Sequence, residues 1–130
     1  SWFCQYSDVP ALLSKANQIL SIPLESMEEP QIVRYKKGQE FSWHYDEIPK
    51  AQLSNGGQRL ATLLIYLNDI SPRCGGGTTF RDLELDSKAL TMQPKCGSAL
   101  LFFPTFRNGR PDDRTLHKSE VMLCDDEKWI

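Results

Sequence analysis

From Gln31 to the end of the chain no helical period is sustained. The sequence runs instead in short apolar stretches, each closed by Gly, Pro or a polar cluster. Gln31–Lys36 and Glu40–Asp46 are separated by the turn signal Lys37-Gly38-Gln39. After a polar loop over 47–58 comes the strongly apolar stretch Arg59–Leu67. A Pro/Gly loop over 71–77 then leads to Thr78–Phe80, Leu90–Gln93 and Ser98–Phe103. A second polar loop spans 104–114, and Thr115–Cys124 and Lys128–Ile130 close the series. Many short strands with Gly/Pro turns predict a β-sandwich or barrel-like fold.

Residues 8–20 are the exception. Leu12, Ala16, Ile19 and Leu20 fall on one face at helical spacing, Ser7 or Asp8 can cap the start, and Pro10 suits the first turn. The expectation is mostly β structure with one helix packed outside it. At 130 residues the chain is read as a single domain over 1–130, helix at about 8–20 and β core at about 31–130. The abrupt ends, Ser1-Trp2-Phe3 and Lys128-Trp129-Ile130, read as cuts, so the domain is expected to be a fragment.

A hydrophobic share of 40% with 25% charged residues suits a globular chain rather than a disordered one. Fifteen basic and 17 acidic side chains give a net charge of −2, which argues against a nucleic-acid partner or a polybasic membrane contact. No apolar run approaches the ~20 residues of a membrane span. Cys4, Cys74, Cys96 and Cys124 contain no Cys-x-x-Cys pair, which disfavours a zinc site. They suit free thiols in a reducing compartment or disulfides in an oxidising one. Endoplasmic reticulum and cytoplasm both stay open.

The first chemical feature is Trp43-His44-Tyr45-Asp46. In a strand, side chains at i and i+2 share a face, so His44 and Asp46 can approach one metal ion together. The only other histidine is His117. Two histidines and one carboxylate on one side of a metal leave the opposite positions open, the facial arrangement of non-haem Fe(II) oxygenases. Taken alone, His-x-Asp is common, and the same residues fit a strand histidine at 44, a turn aspartate at 46 and a core histidine at 117.

The surrounding blocks, in order and spacing, resemble the catalytic domain of prolyl 4-hydroxylases of the collagen and plant type. They begin with Gln31-Ile32-Val33-Arg34-Tyr35 and the run from Gly38 to Asp46. Next are the run from Gly56 through Arg59 to Leu67 and the block Gly75-Gly76-Gly77-Thr78-Thr79-Phe80. The run from Pro94 through Gly97 to Phe103, then Asp113 to His117, then Lys128-Trp129 complete the set. The resemblance implies the double-stranded β-helix, or jelly roll, of the Fe(II)- and 2-oxoglutarate-dependent oxygenases. It implies hydroxylation of peptidyl proline by O₂ with release of succinate and CO₂, and ascorbate as reductant. His44, Asp46 and His117 match the iron ligands. Lys128 matches the lysine that pairs with the distal carboxylate of 2-oxoglutarate, and Thr78 and Tyr35 match further cosubstrate contacts. Arg59 matches an arginine implicated in binding a proline-containing peptide. Leu64, Tyr66 and Phe102 are candidates to line or support the cavity.

This chain departs from the family in several places. The step from His117 to Lys128 is one residue longer than usual, which calls for a bulge or turn within Cys124–Glu127 to keep Lys128 on the site's face. Gly77 stands where the family has Glu. Phe41 stands where an aromatic hydroxyl is common, and the family's further strand beyond Lys-Trp does not follow. The polar loops 47–58 and 104–114 are expected to be mobile and to close over peptide. Two other functions fit the residues: a 2-oxoglutarate oxygenase acting on another amino acid or a small molecule, and a non-oxygenase metal-binding β-sandwich such as a zinc hydrolase.

Overall fold

The computed structural model describes residues 1–53 and 57–130; Ser54 and Asn55 of the first polar loop, and Gly56 of the block ending at Leu67, lie outside the described residues. The chain forms two compact units, Ser1–Arg34 and Tyr35–Ile130.

In the first unit, β1 (Trp2–Phe3) pairs antiparallel with β2 (Gln31–Ile32). Between them lies α1 (Pro10–Leu20), two residues shorter at its start than the periodicity predicts. Tyr6–Asp8 forms a separate 3-10 turn, closed by the Gln5 N–H donating to the Asp8 carboxylate at 3.0 Å. Proline at the first helical position then starts α1 where a missing N–H is harmless. The helix stops at Ser21, whose backbone is left-handed at φ 53°. Its buried face is Leu13 and Ala16, with Ile19 exposed, so the stripe sits one residue round from the expected Leu12. The run Ala11-Leu12-Leu13 offers two registers at helical spacing, and sequence alone does not separate them.

The second unit is built from β3 (Arg34–Tyr35, which carries the boundary), β4 (Phe41–His44), β5 (Thr62–Ile65) and β6 (Thr78–Leu85). It continues with β7 (Lys88–Met92), β8 (Ala99–Phe102), β9 (His117–Ser119) and β10 (Lys128–Trp129). The larger sheet has the order β4-β9-β6-β7, with every adjoining pair antiparallel. Strand β5 pairs antiparallel with β8, and β10 lies beside β3. The register sets His117 opposite both His44 and Phe80, and Ser119 opposite Thr78. A bulge in β4 fits the three steps from Phe41 to His44 against the two from Ser119 to His117. It stacks the Phe41 ring on the His44 imidazole at 3.8 Å. The deepest side chains include Tyr66, Phe80, Met122 and Lys128.

Strand β6 runs five residues beyond the predicted Phe80 and returns as β7 through Asp86-Ser87. Arg81 to Leu85 is mostly exposed and charged, so hydrophobic patterning did not mark it as strand. Both turn residues have positive φ, 52° and 61°, the two-residue turn that Asn-Gly normally makes. Ser87→Gly is therefore expected to stabilise the fold by about 0.5–1 kcal/mol. Thermal melting should show a rise of roughly 2–4 °C; an unchanged or lower Tm would show that the left-handed serine is unstrained.

Cys74 and Cys124 form a disulfide, while Cys4 and Cys96 are free. The bond joins two segments already in close contact. A Cβ on Gly75 would lie 2.2 Å from the Val121 carbonyl oxygen, and one on Gly76 would lie 2.6 Å from Met122 Sδ. Only glycine lets the chain at 75–76 pass this near to 121–122. The 104–114 segment is folded on itself: Phe106 N–H donates to Arg110 O, and Gly109 N–H to Phe106 O.

Candidate metal and cosubstrate centre

Strand β4 delivers His44, and Asp46 follows two residues on; β9 begins with His117 directly across the ladder. One ligand atom from each lies within 4.8 Å of the others. Asp46 Oδ1 is 3.5 Å from His44 Nε2 and 3.6 Å from His117 Nε2. Two ligands bonded at ~2.1 Å at right angles would stand about 3 Å apart, so a small inward movement suffices to hold a metal.

Each ligand is oriented by a second contact. His44 Nδ1 lies 2.8 Å from the Ser42 carbonyl and His117 Nδ1 2.9 Å from the Thr115 carbonyl. A carbonyl only accepts, so both Nδ1 atoms carry the proton and both Nε2 lone pairs face the centre. Thr62 donates its hydroxyl to Asp46 Oδ2 at 2.7 Å, leaving Oδ1 to face the imidazoles.

The electrostatics suit a cation. Burial raises the Asp46 pKa, but the Thr62 hydroxyl and, when they are protonated, the two imidazoles that face the carboxylate outweigh it, and the carboxyl lies below its ordinary range. Burial disfavours charge on His44 too; there the hydrogen bond to Asp46 and the Ser42 carbonyl win, and the pKa rises. At His117 burial wins and the pKa falls, which favours the neutral imidazole a metal needs.

Beside this triad lies Lys128, with no accessible surface. Its ammonium donates to Ser119 Oγ at 2.8 Å and sits 5.1 Å from the Tyr35 ring and 5.9 Å from the Tyr66 ring. Burial pulls its pKa down to about 8, against a weaker upward pull from the Glu120 charge. Thr78 faces the same row, opposite Ser119, and accepts a hydrogen bond from the Tyr66 hydroxyl at 2.9 Å. The Tyr35 hydroxyl reaches Ser119. Tyr35, Thr78, Ser119 and Lys128 are all buried. A buried ammonium held by one hydroxyl among the described residues is short of negative charge. It fits a carboxylate brought by a ligand.

The sequence profile of the 2OG-Fe(II) oxygenase superfamily matches residues 30–130. The chain belongs to this superfamily. It is 32% identical over 125 residues to the probable prolyl 4-hydroxylase 4 of Arabidopsis thaliana, and 33% identical to that plant's prolyl 4-hydroxylase 2. Each match covers 83% of this chain, which spans 41% of the relative's length. The solved viral collagen prolyl hydroxylase of Paramecium bursaria Chlorella virus-1, in complex with 2OG, superposes with a TM-score of 0.79 at 26% identity. That match covers 99% of this chain and 73% of the viral one. The fold is thus the jelly roll of the 2-oxoglutarate oxygenases, mostly β with one helix.

Two of this oxygenase's departures bear directly on the site. The chain bends at Cys124–Asp125, within the stretch where the longer spacing calls for a bulge or turn, and Lys128 is fully buried. A side chain at Gly77 has no room: a Cβ there would lie 2.7 Å from a Thr91 methyl and 3.1 Å from Glu120 Oε2. Glu120 itself accepts from the Thr79 hydroxyl at 2.9 Å, so its carboxylate occupies that flank instead. Arg59 stands beside the centre. Its guanidinium donates to the Asp46 carbonyl at 3.0 Å, and its own carbonyl accepts from Thr105. Of the predicted cavity residues, Tyr66 touches Thr78, and Phe102 packs edge-on against His117 at 4.9 Å. Leu64 is half-buried on β5.

Sequence reasoning missed Ser119 and Thr62. Ser119 stands at i+2 from His117 and so shares its face, the same logic that joined His44 to Asp46. Thr62 carried no local signal; its partner lies across the fold.

Proposed function

We propose that this oxygenase hydroxylates proline residues in peptides, consuming O₂ and 2-oxoglutarate and releasing succinate and CO₂. The observation that carries this is a two-histidine, one-carboxylate cluster beside a buried ammonium. The names of the matched relatives, prolyl 4-hydroxylases of Arabidopsis and a viral collagen prolyl hydroxylase, support the choice of proline. Ascorbate is the reductant we assign to it.

In this reading His44, Asp46 and His117 hold Fe(II), while Lys128, Thr78 and Tyr35 hold the cosubstrate. When bound, the pair supplies oxidative decarboxylation of the keto acid coupled to insertion of one oxygen atom into a C–H bond. The protein's part is placement. The Ser42 and Thr115 carbonyls and the Thr62 hydroxyl fix the ligands. Lys128 would neutralise the far carboxylate of 2-oxoglutarate and so fix the cosubstrate beside the triad. Phe80 and Phe102 pack against His117 and keep water from that side. Phe41 lies open on His44, half-exposed, and prolyl segments dock on aromatic faces.

The test is succinate release with Fe(II), 2-oxoglutarate and a panel of proline-rich peptides and free amino acids. Peptide-dependent turnover should add one oxygen atom to a proline. Turnover on free amino acids alone would replace the peptide assignment. Arg59 is the residue we assign to peptide binding. Arg59→Ala is expected to raise the peptide KM by more than the 2-oxoglutarate KM; the opposite order would make Arg59 a support for Asp46, whose carbonyl it holds.

A further inference from the structure

Lys128 sits on a strand of two residues, preceded by a bend and by highly exposed Asp125. A strand this short, paired with β3 over two residues, has little else in its own backbone to fix its register. One slip would turn the lysine to the opposite face. The structure nonetheless buries it completely.

The chain after β5 supplies the restraint. Leu67 N–H donates to the Trp129 carbonyl at 2.9 Å. The side chain of the next residue, Asn68, does the rest. Its Nδ2 donates to the Glu127 carbonyl at 2.8 Å, and its Oδ1 accepts from the Trp129 N–H at 2.8 Å. The primary amide thus acts as a peptide group of a neighbouring strand would, gripping the backbone on both sides of Lys128. Only a side chain with a donor and an acceptor on one carbon makes both bonds; aspartate keeps the acceptor and loses the donor.

We propose that Asn68 is a positioning residue for the cosubstrate, acting through Lys128. By clamping residues 127 and 129 it sets the direction in which the lysine leaves the backbone, and so holds the ammonium over Ser119. The inference rests on the reading of Lys128 as the carboxylate anchor.

The test uses the whole chain loaded with Mn(II). Calorimetry gives dissociation constants for Mn(II) and for 2-oxoglutarate in wild type, Asn68→Ala, Asn68→Asp, Lys128→Met and the Asn68→Ala/Lys128→Met double variant. Asn68→Ala should weaken 2-oxoglutarate by about tenfold and leave Mn(II) unchanged. Asn68→Asp, nearly the same shape, should fall between it and wild type, and serves if the alanine variant does not fold. In the Lys128→Met background Asn68→Ala should have no further effect, because nothing remains to position. Hydrogen exchange at the Trp129 amide should quicken in Asn68→Ala.

An equal loss in both backgrounds would overturn the proposal, showing that Asn68 supports the fold at large. So would an unchanged 2-oxoglutarate affinity in Asn68→Ala while Lys128→Met weakens it. If Lys128→Met itself loses nothing, the anchor assignment fails and the proposal falls with it.

Discussion

Asp46→Ala should weaken divalent-metal binding by more than about a hundredfold and abolish 2-oxoglutarate turnover. The aspartate is the group both imidazoles face: its Oδ1 lies 3.5 and 3.6 Å from their Nε2 atoms, and Thr62 holds its other oxygen. Without it two neutral donors remain, and the cation loses its only anionic ligand in the triad. The fold should survive, because Asp46 lies outside the ladder at the end of β4. His117→Ala should lose metal to the same extent but also melt lower. Its ring packs against Phe80 and Phe102 at 5.4 and 4.9 Å, and its removal leaves a hole there. Thr62→Val is the graded case, with a loss of roughly ten- to a hundredfold, since only the orientation of the carboxylate suffers. Calorimetry with Mn(II) and circular dichroism measure both effects. Wild-type metal affinity in Asp46→Ala would remove the triad as the metal centre.

The residues of this cluster stood out in the sequence because the chain has just two histidines and one lies two steps from an aspartate. Strand periodicity then placed His44 and Asp46 together without tertiary knowledge. What supports them was not legible. Thr62 reaches Asp46 from another strand, and Asn68 grips residues 127 and 129 from 59 and 61 residues away in sequence. Such contacts depend on which strands become neighbours, and a single sequence does not state that. The disulfide is a further instance. Four cysteines allow three complete pairings, and the observed bond joins two of them and leaves two free.

The fold was legible to a similar depth. Continuous apolar stretches between turn signals revealed strands such as β5 and β8. That signal failed on the second half of β6, where Arg81, Asp82, Glu84 and Leu85 are exposed and pairing with β7 carries the strand to its end. In α1 the period was right and the phase was off by one, because consecutive leucines leave the buried face undetermined. The family resemblance reached further than the patterning did. It named the jelly roll where periodicity only enumerates strands, and Gly77 shows its limit. Steric exchange with Glu120 and Thr91 explains that glycine, and neither partner is near it in sequence.

Lys128→Met should weaken 2-oxoglutarate roughly ten- to a hundredfold and at the same time make the protein more stable. Both follow from one fact, a fully buried ammonium with one hydroxyl partner among the described residues. Burial lowers its pKa from 10.5 to about 8, against a smaller upward pull from Glu120. A lysine with a lowered folded pKa destabilises the fold wherever it is charged in both states. Below pH 8 that cost is constant and on the order of 3 kcal/mol. Between about 8 and 10.5 the unfolded chain binds a proton the folded one lacks, so this residue's effect is a stability that rises with pH. Methionine, of similar length and without charge, removes the cost and flattens the profile. A bound carboxylate removes it differently: it pairs the charge and returns the pKa upward. 2-Oxoglutarate should therefore take up protons on binding above pH 8, and its dissociation constant should grow by up to about tenfold per pH unit there. In Lys128→Met that pH dependence should vanish while Mn(II) binding stays as it was. A methionine variant that binds 2-oxoglutarate as tightly as wild type, with the same pH profile, would place the anchor for the far carboxylate elsewhere in the fold.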